Sequence, residues 1–133
     1  MFGSLDVSAS ALVAQRTRLE SISANIAGAQ SIEGPHGEYA PYQRRITVLA
    51  QGDPTTGKTQ GVHVQEILQQ PDFRKVYQPG HKFADADGMV LYPDISPEVE
   101  VINAMSAFRA YEANITAAEA TKAMMQASLR LLA

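Results

Sequence analysis

The stretch that decides the fold is residues 97–133, PEVEVINAMSAFRAYEANITAAEATKAMMQASLRLLA. It contains no glycine, and its one proline comes first. A helix tolerates proline there because the N–H of the first helical residue has no acceptor within the helix. Ser96 is a candidate N-cap, and Arg130 lies in the last turn, where the helix dipole favours a cation. The stretch therefore predicts one continuous helix, roughly 50 Å long at 1.5 Å per residue.

Apolar residues recur every seven positions along this predicted helix, which is the pattern of a coiled-coil seam. Only Lys122 interrupts it. A helix of this length cannot be buried by so small a chain, so we expect its apolar rows to contact partners. The first row is Val101, Phe108, Ile115 and Leu129, and the second is Ala104, Tyr111, Ala118, Met125 and Leu132.

A second helix is predicted over residues 4–27, which also lack glycine and proline. Gly28 would end it in the left-handed conformation that glycine adopts at little cost. We expect the two terminal helices to pack as a coiled-coil-like pair. A hairpin closed within its own domain is the alternative, although closed domains of this size seldom have such long helices. The expected interface residues of this helix are Leu5, Leu12, Leu19, Ile22 and Ile26.

The middle of the chain, residues 30–96, has a different character. Short apolar alternations between turn signals replace the helical period, which indicates strands. The fold class is therefore α+β, with residues 1–29 and 97–133 as a terminal helical domain and residues 30–96 as a small β-rich insert. Four short strands are expected, near residues 46–50, 62–64, 76 and 89–92.

Composition excludes several classes of protein. The net charge of −3 argues against a non-specific nucleic-acid or anionic-membrane binder, because either needs a basic face. The chain has no cysteine, so disulfides and thiolate metal sites are excluded. No apolar run approaches a membrane span, and the N-terminal MFGSLDVSAS lacks the features of a Sec-type signal peptide.

One segment, residues 52–59, fits the phosphate-binding pattern G-x-x-x-x-G-K-[ST] at every fixed position. Such a loop needs a helix directly after it, because the helix N-terminus faces the phosphate. Here Gly61 and the alternating Val62-His63-Val64 follow instead. The segment therefore predicts a polar hairpin loop, and a nucleotide-binding protein is the weaker alternative.

No other segment predicts catalysis, a cofactor or a metal. Asp85, Asp87 and Gly88 resemble the start of a calcium loop, but the flanking ligand positions hold the wrong residues, so a β-turn is expected. The three histidines show no metal-ligand spacing.

Three separated segments are similar to motifs of bacterial flagellar rod, hook and hook-associated proteins. They are SANIAGA at residues 23–29, the run from VYQPGH to YPD at residues 76–94, and RAYEANI at residues 109–115. Gly28 stands where the first motif usually has asparagine, a mild change if both take a left-handed conformation. The matching residues are Asn25, Ile26 and Ala27; Tyr77, Pro79 and Gly80; and Arg109, Tyr111, Glu112 and Asn114.

The chain is thereby identified as a member of the flagella basal body rod protein family, in its C-type proximal rod branch. The resemblance implies a structural subunit of the rod, with helices around an export channel and the insert facing outward. It implies torque transmission from the membrane ring to the hook, and export through the flagellar type III apparatus. The implied partners are copies of the chain, other proximal and distal rod proteins, and membrane-ring and rod-adaptor proteins. A helical adaptor in a discrete complex is the alternative.

Overall fold

Two long terminal helices enclose an antiparallel β-insert, as the sequence predicts. The structure, a computed structural model, describes residues 2–133 and the side chains of residues 3–133. Ser96 caps the second helix, its hydroxyl accepting from the Val99 N–H at 3.4 Å. The elements are α1 (Phe2–Gly28), β1 (Arg44–Asp53), β2 (Lys58–Gln70), β3 (Phe73–Tyr77), β4 (Met89–Pro93) and α2 (Pro97–Leu132).

Helix α1 is the central element, because it contacts α2 and both strands of the first hairpin. The residues that α2 buries recur every seven positions, but they are small or polar instead of the expected apolar rows. A similar row on α1 is buried at the same spacing. The row on α2 is Glu100, Ala107 and Thr121, with Asn114 half-buried, and the row on α1 is Ala14, Ser21 and Gly28.

The residues of the expected apolar rows differ in burial. Tyr111, Ala118 and Met125 are half-buried, whereas Phe108 is 52% exposed and lies away from α1. Seven-residue spacing thus indicates the helix pair correctly, while coiled-coil packing through the apolar rows stays a prediction.

The two helices lie antiparallel, and α2 extends further. Asn25, near the end of α1, is hydrogen-bonded to Glu100, near the start of α2, and burial along α2 continues to Thr121. Helix α2 has 36 residues against 27 in α1, so its last turns extend past the described part of α1. Leu131, for example, is 88% exposed.

The first hairpin lies along α1. The Thr47 hydroxyl donates to the Ser21 hydroxyl at 2.8 Å, and the Val62 N–H donates to the Ser10 hydroxyl at 3.1 Å. With this support β1 and β2 reach 10 and 13 residues, so the expectation of short strands was wrong for this pair. The described residues contain four strands, as predicted, in two separate sheets, β1–β2 and β3–β4.

The segment that fits the phosphate-binding pattern is the loop of this hairpin. Strand β1 ends at Asp53 and β2 begins at Lys58, so a strand stands where a phosphate-binding loop needs a helix. The Asp53 carboxylate accepts from the Thr55 N–H at 2.9 Å and the Thr56 hydroxyl at 2.8 Å. These hydrogen bonds lower the pKa of Asp53. The prediction of a polar hairpin loop is confirmed.

The second acidic segment is a turn, also as predicted. The Asp85 carboxylate accepts from the N–H groups of Asp87 and Met89, at 2.9 and 2.8 Å. Gly88 has a φ of +76°, the left-handed conformation that such a turn requires. These bonds turn the chain into β4.

Gly28 ends α1 for a different reason from the expected one. It is the last helical residue, and it is absent from the positive-φ glycines of the described chain. A Cβ at this position would lie 2.5 Å from Cγ of Tyr42 and 2.7 Å from both Cδ atoms. In this chain the aromatic ring of Tyr42 therefore packs directly on the helix backbone, in the space that a Cβ would occupy.

Gly28→Ala should lower the free energy of unfolding by about 1–3 kcal/mol, because the Tyr42 ring must move. Gly80→Ala is the matched control, since no atom lies within 4 Å of the place that an added Cβ would occupy and its φ is not positive. Removing glycine there should stabilise the chain slightly, by reducing the entropy of the unfolded state. Urea unfolding measures both, and equal effects would contradict this account of Gly28.

Candidate functional site

A buried cluster of polar side chains joins the two helices to β1. We call it the helix joint, formed by Asn25, Tyr42, Arg44 and Glu100 with the main chain of Arg45. Asn25 is 1% exposed and Glu100 is 2% exposed. Buried polar groups of this kind are stable only when their hydrogen bonds are satisfied.

Asn25 uses the full hydrogen-bonding capacity of its amide. Its Oδ1 accepts from the Arg45 N–H at 2.8 Å and from the Tyr42 hydroxyl at 3.2 Å. Its Nδ2 donates to the Arg45 carbonyl at 2.9 Å and to Oε2 of Glu100 at 3.0 Å. One side chain thus holds the end of α1, the start of β1 and the start of α2.

Glu100 is the acidic member of the joint. Its Oε1 accepts from Nε and Nη2 of Arg44, at 3.0 and 2.6 Å, while its Oε2 accepts from Asn25. A buried carboxylate requires such pairing because its desolvation is costly. The burial of Glu100 was not predicted from the sequence. Glu100 begins the row that continues at seven-residue intervals with Ala107 and Asn114, but this spacing alone does not show that the row faces α1.

Tyr42 completes the joint as a hydrogen-bond donor. Burial raises the pKa of its hydroxyl above the usual value, and the nearby Arg45 guanidinium, 5.9 Å from the ring centroid, partly opposes this. The hydroxyl is protonated near neutral pH and donates to Oδ1 of Asn25. The cluster offers rigid attachment between elements.

The exposed face of α2 is the second candidate feature. Four apolar side chains form a row here, which we call the α2 stripe, and each is between 36% and 52% exposed. On a helix with 3.6 residues per turn they lie on one side, away from the row that contacts α1. The stripe consists of Val101, Met105, Phe108 and Ile115.

Curated relatives match the chain along nearly its whole length. The flagellar basal-body rod protein FlgC of Bacillus subtilis is 36% identical over an alignment of 145 residues, covering 98% of this chain and 97% of that protein. FlgC of Salmonella typhimurium is 40% identical over 128 residues, covering 95% and 93%. FlgC of Aquifex aeolicus is 32% identical, covering 95% and 92%. No family model matches the chain.

The chain belongs to the FlgC family of flagellar basal-body rod proteins. Membership places it in the flagellar basal body and gives it a structural role in the rod. The resemblance predicted from its three motifs is confirmed.

The motif residues of the family are spread over the molecule. Asn25 lies in the helix joint, whereas Ile26 and Ala27 are exposed beside it. On α2, the motif residues Arg109 and Glu112 are exposed. Tyr111 and Asn114 are half-buried on the side of α2 that faces α1. Of three further exposed motif residues, Tyr77 is the last residue of β3, and Pro79 and Gly80 lie in the turn after it.

The remaining expected interface residues range from buried to strongly exposed. Ile22 is buried, and the three leucines predicted as interface residues on α1 are half-buried. On α2 the last expected residues, Leu129 and Leu132, extend past α1 and are strongly exposed. The half-buried leucines are Leu5, Leu12 and Leu19.

Residues 2–133 hold neither a membrane-spanning helix nor a metal-binding cluster. None of the helices there is both long and apolar enough to cross a membrane. In the same part of the chain, histidine, aspartate and glutamate side chains form no group of three that could hold a metal ion.

Glu100→Gln should lower the free energy of unfolding by about 1–3 kcal/mol, because the isosteric amide loses the charge-assisted bonds from Arg44, a side chain that is itself partly exposed. Glu20→Gln is the control. It removes an exposed ion pair with Arg16, and such pairs contribute only about 0.3–0.5 kcal/mol. Urea unfolding of both variants tests the joint, and a loss for Glu100→Gln no larger than the control would contradict it.

Proposed function

We propose that this chain is a subunit of the proximal rod, where it transmits torque from the membrane ring to the hook and helps to line the export channel. The observation that carries the proposal is the α2 stripe, an apolar row left uncovered by the chain's own fold. In the rod, another subunit would pack against this stripe and bury its apolar side chains.

The energetics favour contact through the stripe. Fully burying a large apolar side chain contributes about 1.5–3 kcal/mol, and the four residues retain roughly half of their surface. Covering them would therefore contribute about 1 kcal/mol each. Repeated head-to-tail contacts that do not close into a ring generate a helical assembly, which is the form of a shaft.

Torque transmission requires subunits that do not bend at their joints. The helix joint supplies this, because α1, β1 and α2 are held together at one end by buried bonds. Packed interiors have low compressibility and transmit strain. Each subunit would therefore turn as one body.

The order of the elements supports an orientation in the rod. Helix α1 lies between α2 and the first hairpin, which contacts α1 along its length. With α2 towards the channel, residues 1–29 and 97–133 form the axial core, and the insert, residues 30–96, faces outward. The partners of this arrangement are copies of the chain, other rod proteins, and ring and rod-adaptor proteins. The chain acts there without catalysis or a cofactor, after export through the flagellar type III apparatus.

Phe108→Asp should abolish swimming and incorporation into basal bodies, because it places an unpaired charge in the proposed contact. The isolated chain should remain folded, since Phe108 is half exposed. Motility in soft agar and immunoblots of isolated basal bodies measure the effect, and thermal unfolding checks the fold.

Ala120→Asp is the matched control. Ala120 is exposed on the same helix but lies about 120° around from Phe108, at 100° per residue. This variant should remain motile. Normal motility of Phe108→Asp, or equal loss in both variants, would contradict a role for the stripe.

A further inference from the structure

A groove with an unusual charge opens between α1, β1 and the start of α2. It encloses ≈ 310 Å³. Its walls carry three arginines and its remaining surface is partly apolar, so it suits an occupant with both apolar and acidic groups. We call it the arginine groove, and the side chains that matter are Arg18, Arg44, Arg45, Ile22, Ile46 and Leu49.

Two of the three arginines lack an acidic partner. Arg44 is paired with Glu100 in the helix joint. Arg18 forms no ion pair with any residue that the structure describes, and Arg45 contacts only the Tyr42 ring through its guanidinium. The groove therefore presents two uncompensated positive charges beside an apolar surface.

The complementary charges lie on the α2 stripe. Glu119 follows Val101 by 18 residues, which is five helical turns, so it lies directly in line with the stripe. Glu112 lies between Phe108 and Ile115 on the same side of the helix. Both glutamates are exposed, and neither forms an ion pair within the described chain.

The spacings of the two sets of charges agree. Arg45 is held at the level of Asn25 by two main-chain bonds, and Arg18 lies seven residues before Asn25 on α1. Glu112 and Glu119 are also seven residues apart. Seven residues of helix span about 10 Å, so the main chain of Arg45 lies about as far from Arg18 along the α1 axis as Glu112 lies from Glu119 along α2.

We propose that α2 of one copy docks on the arginine groove of the next copy through Ile115 of the α2 stripe, with Glu112 facing Arg45 and Glu119 facing Arg18. This pairing, which rests on the proposed function, keeps both copies pointing in the same direction, because α1 and α2 are antiparallel. The opposite order would reverse one copy.

The contact does not close on itself. Asn103 lines the groove, and it lies about 200° around α2 from Val101, so groove and stripe occupy different sides of the molecule. After the first contact, one copy therefore keeps a free groove and the other copy keeps a free stripe. Such heterologous contacts repeat and generate a helical array, whereas a two-fold contact would stop at a dimer.

Cysteine cross-linking in cells that produce the variant chain tests the inference, because the native chain has no cysteine. Arg18→Cys combined with Glu119→Cys should give disulfide-linked multimers of this chain in basal bodies isolated after oxidation. Arg18→Cys with Ala120→Cys is the matched control, since Ala120 is adjacent to Glu119 but about 100° around the helix. This control should give at least tenfold less disulfide-linked multimer.

A charge exchange supplies the second measurement. Arg18→Glu and Glu119→Arg should each reduce swimming, and the double variant should restore it, because the pair is re-formed with opposite sign. No multimers from the first cysteine pair, multimers equal to the control, cross-links only to a different protein, or no restoration would each overturn the inference. The proposed function fails separately, if Phe108→Asp leaves motility intact.

Discussion

The amide of Asn25 and the carboxylate of Glu100 meet at the point on which the whole arrangement depends. They are 75 residues apart in the sequence and almost completely buried. Their bonds are satisfied only if the end of α1, the start of β1 and the start of α2 are correctly aligned, because an unsatisfied buried amide or carboxylate is costly. The joint therefore fixes the register of the helices. It also fixes the direction in which the α2 stripe faces.

The contact between the helices uses small side chains. Ala107 and Thr121 face α1, while larger apolar residues such as Phe108 face outward. For a chain that works alone this distribution is unfavourable, since exposed apolar surface contributes nothing to folding. For a subunit of the rod this distribution is suitable. The contact between α1 and α2 needs only correct alignment, whereas the contact with a neighbouring subunit needs apolar area. The polar joint and the apolar stripe thus serve different levels of assembly.

Much of the fold could be predicted from the sequence, because the absence of glycine and proline defines both helices and turn signals define the strands. The hairpin loop was predicted because the strand-like Val62 and Val64 follow it. Which face of each helix contacts the other helix was not predicted, because a seven-residue spacing gives a period but not the side on which the partner lies. The row that begins at Glu100 consists of small or polar residues, so an apolar pattern does not select it. The roles of Gly28 and Tyr42 were missed because a ring packed on a helix backbone leaves no periodic signal.

The central claim is that the chain folds around a buried polar joint and leaves an apolar helix face for its neighbours. Cryo-electron microscopy of the native basal body, with this chain traced, tests it most directly. The account predicts that the Asn25–Glu100 contact is intact in every copy and that Val101, Phe108 and Ile115 are covered by an adjacent subunit. A map in which these three side chains face solvent, or in which α1 and α2 separate at the joint, would contradict it.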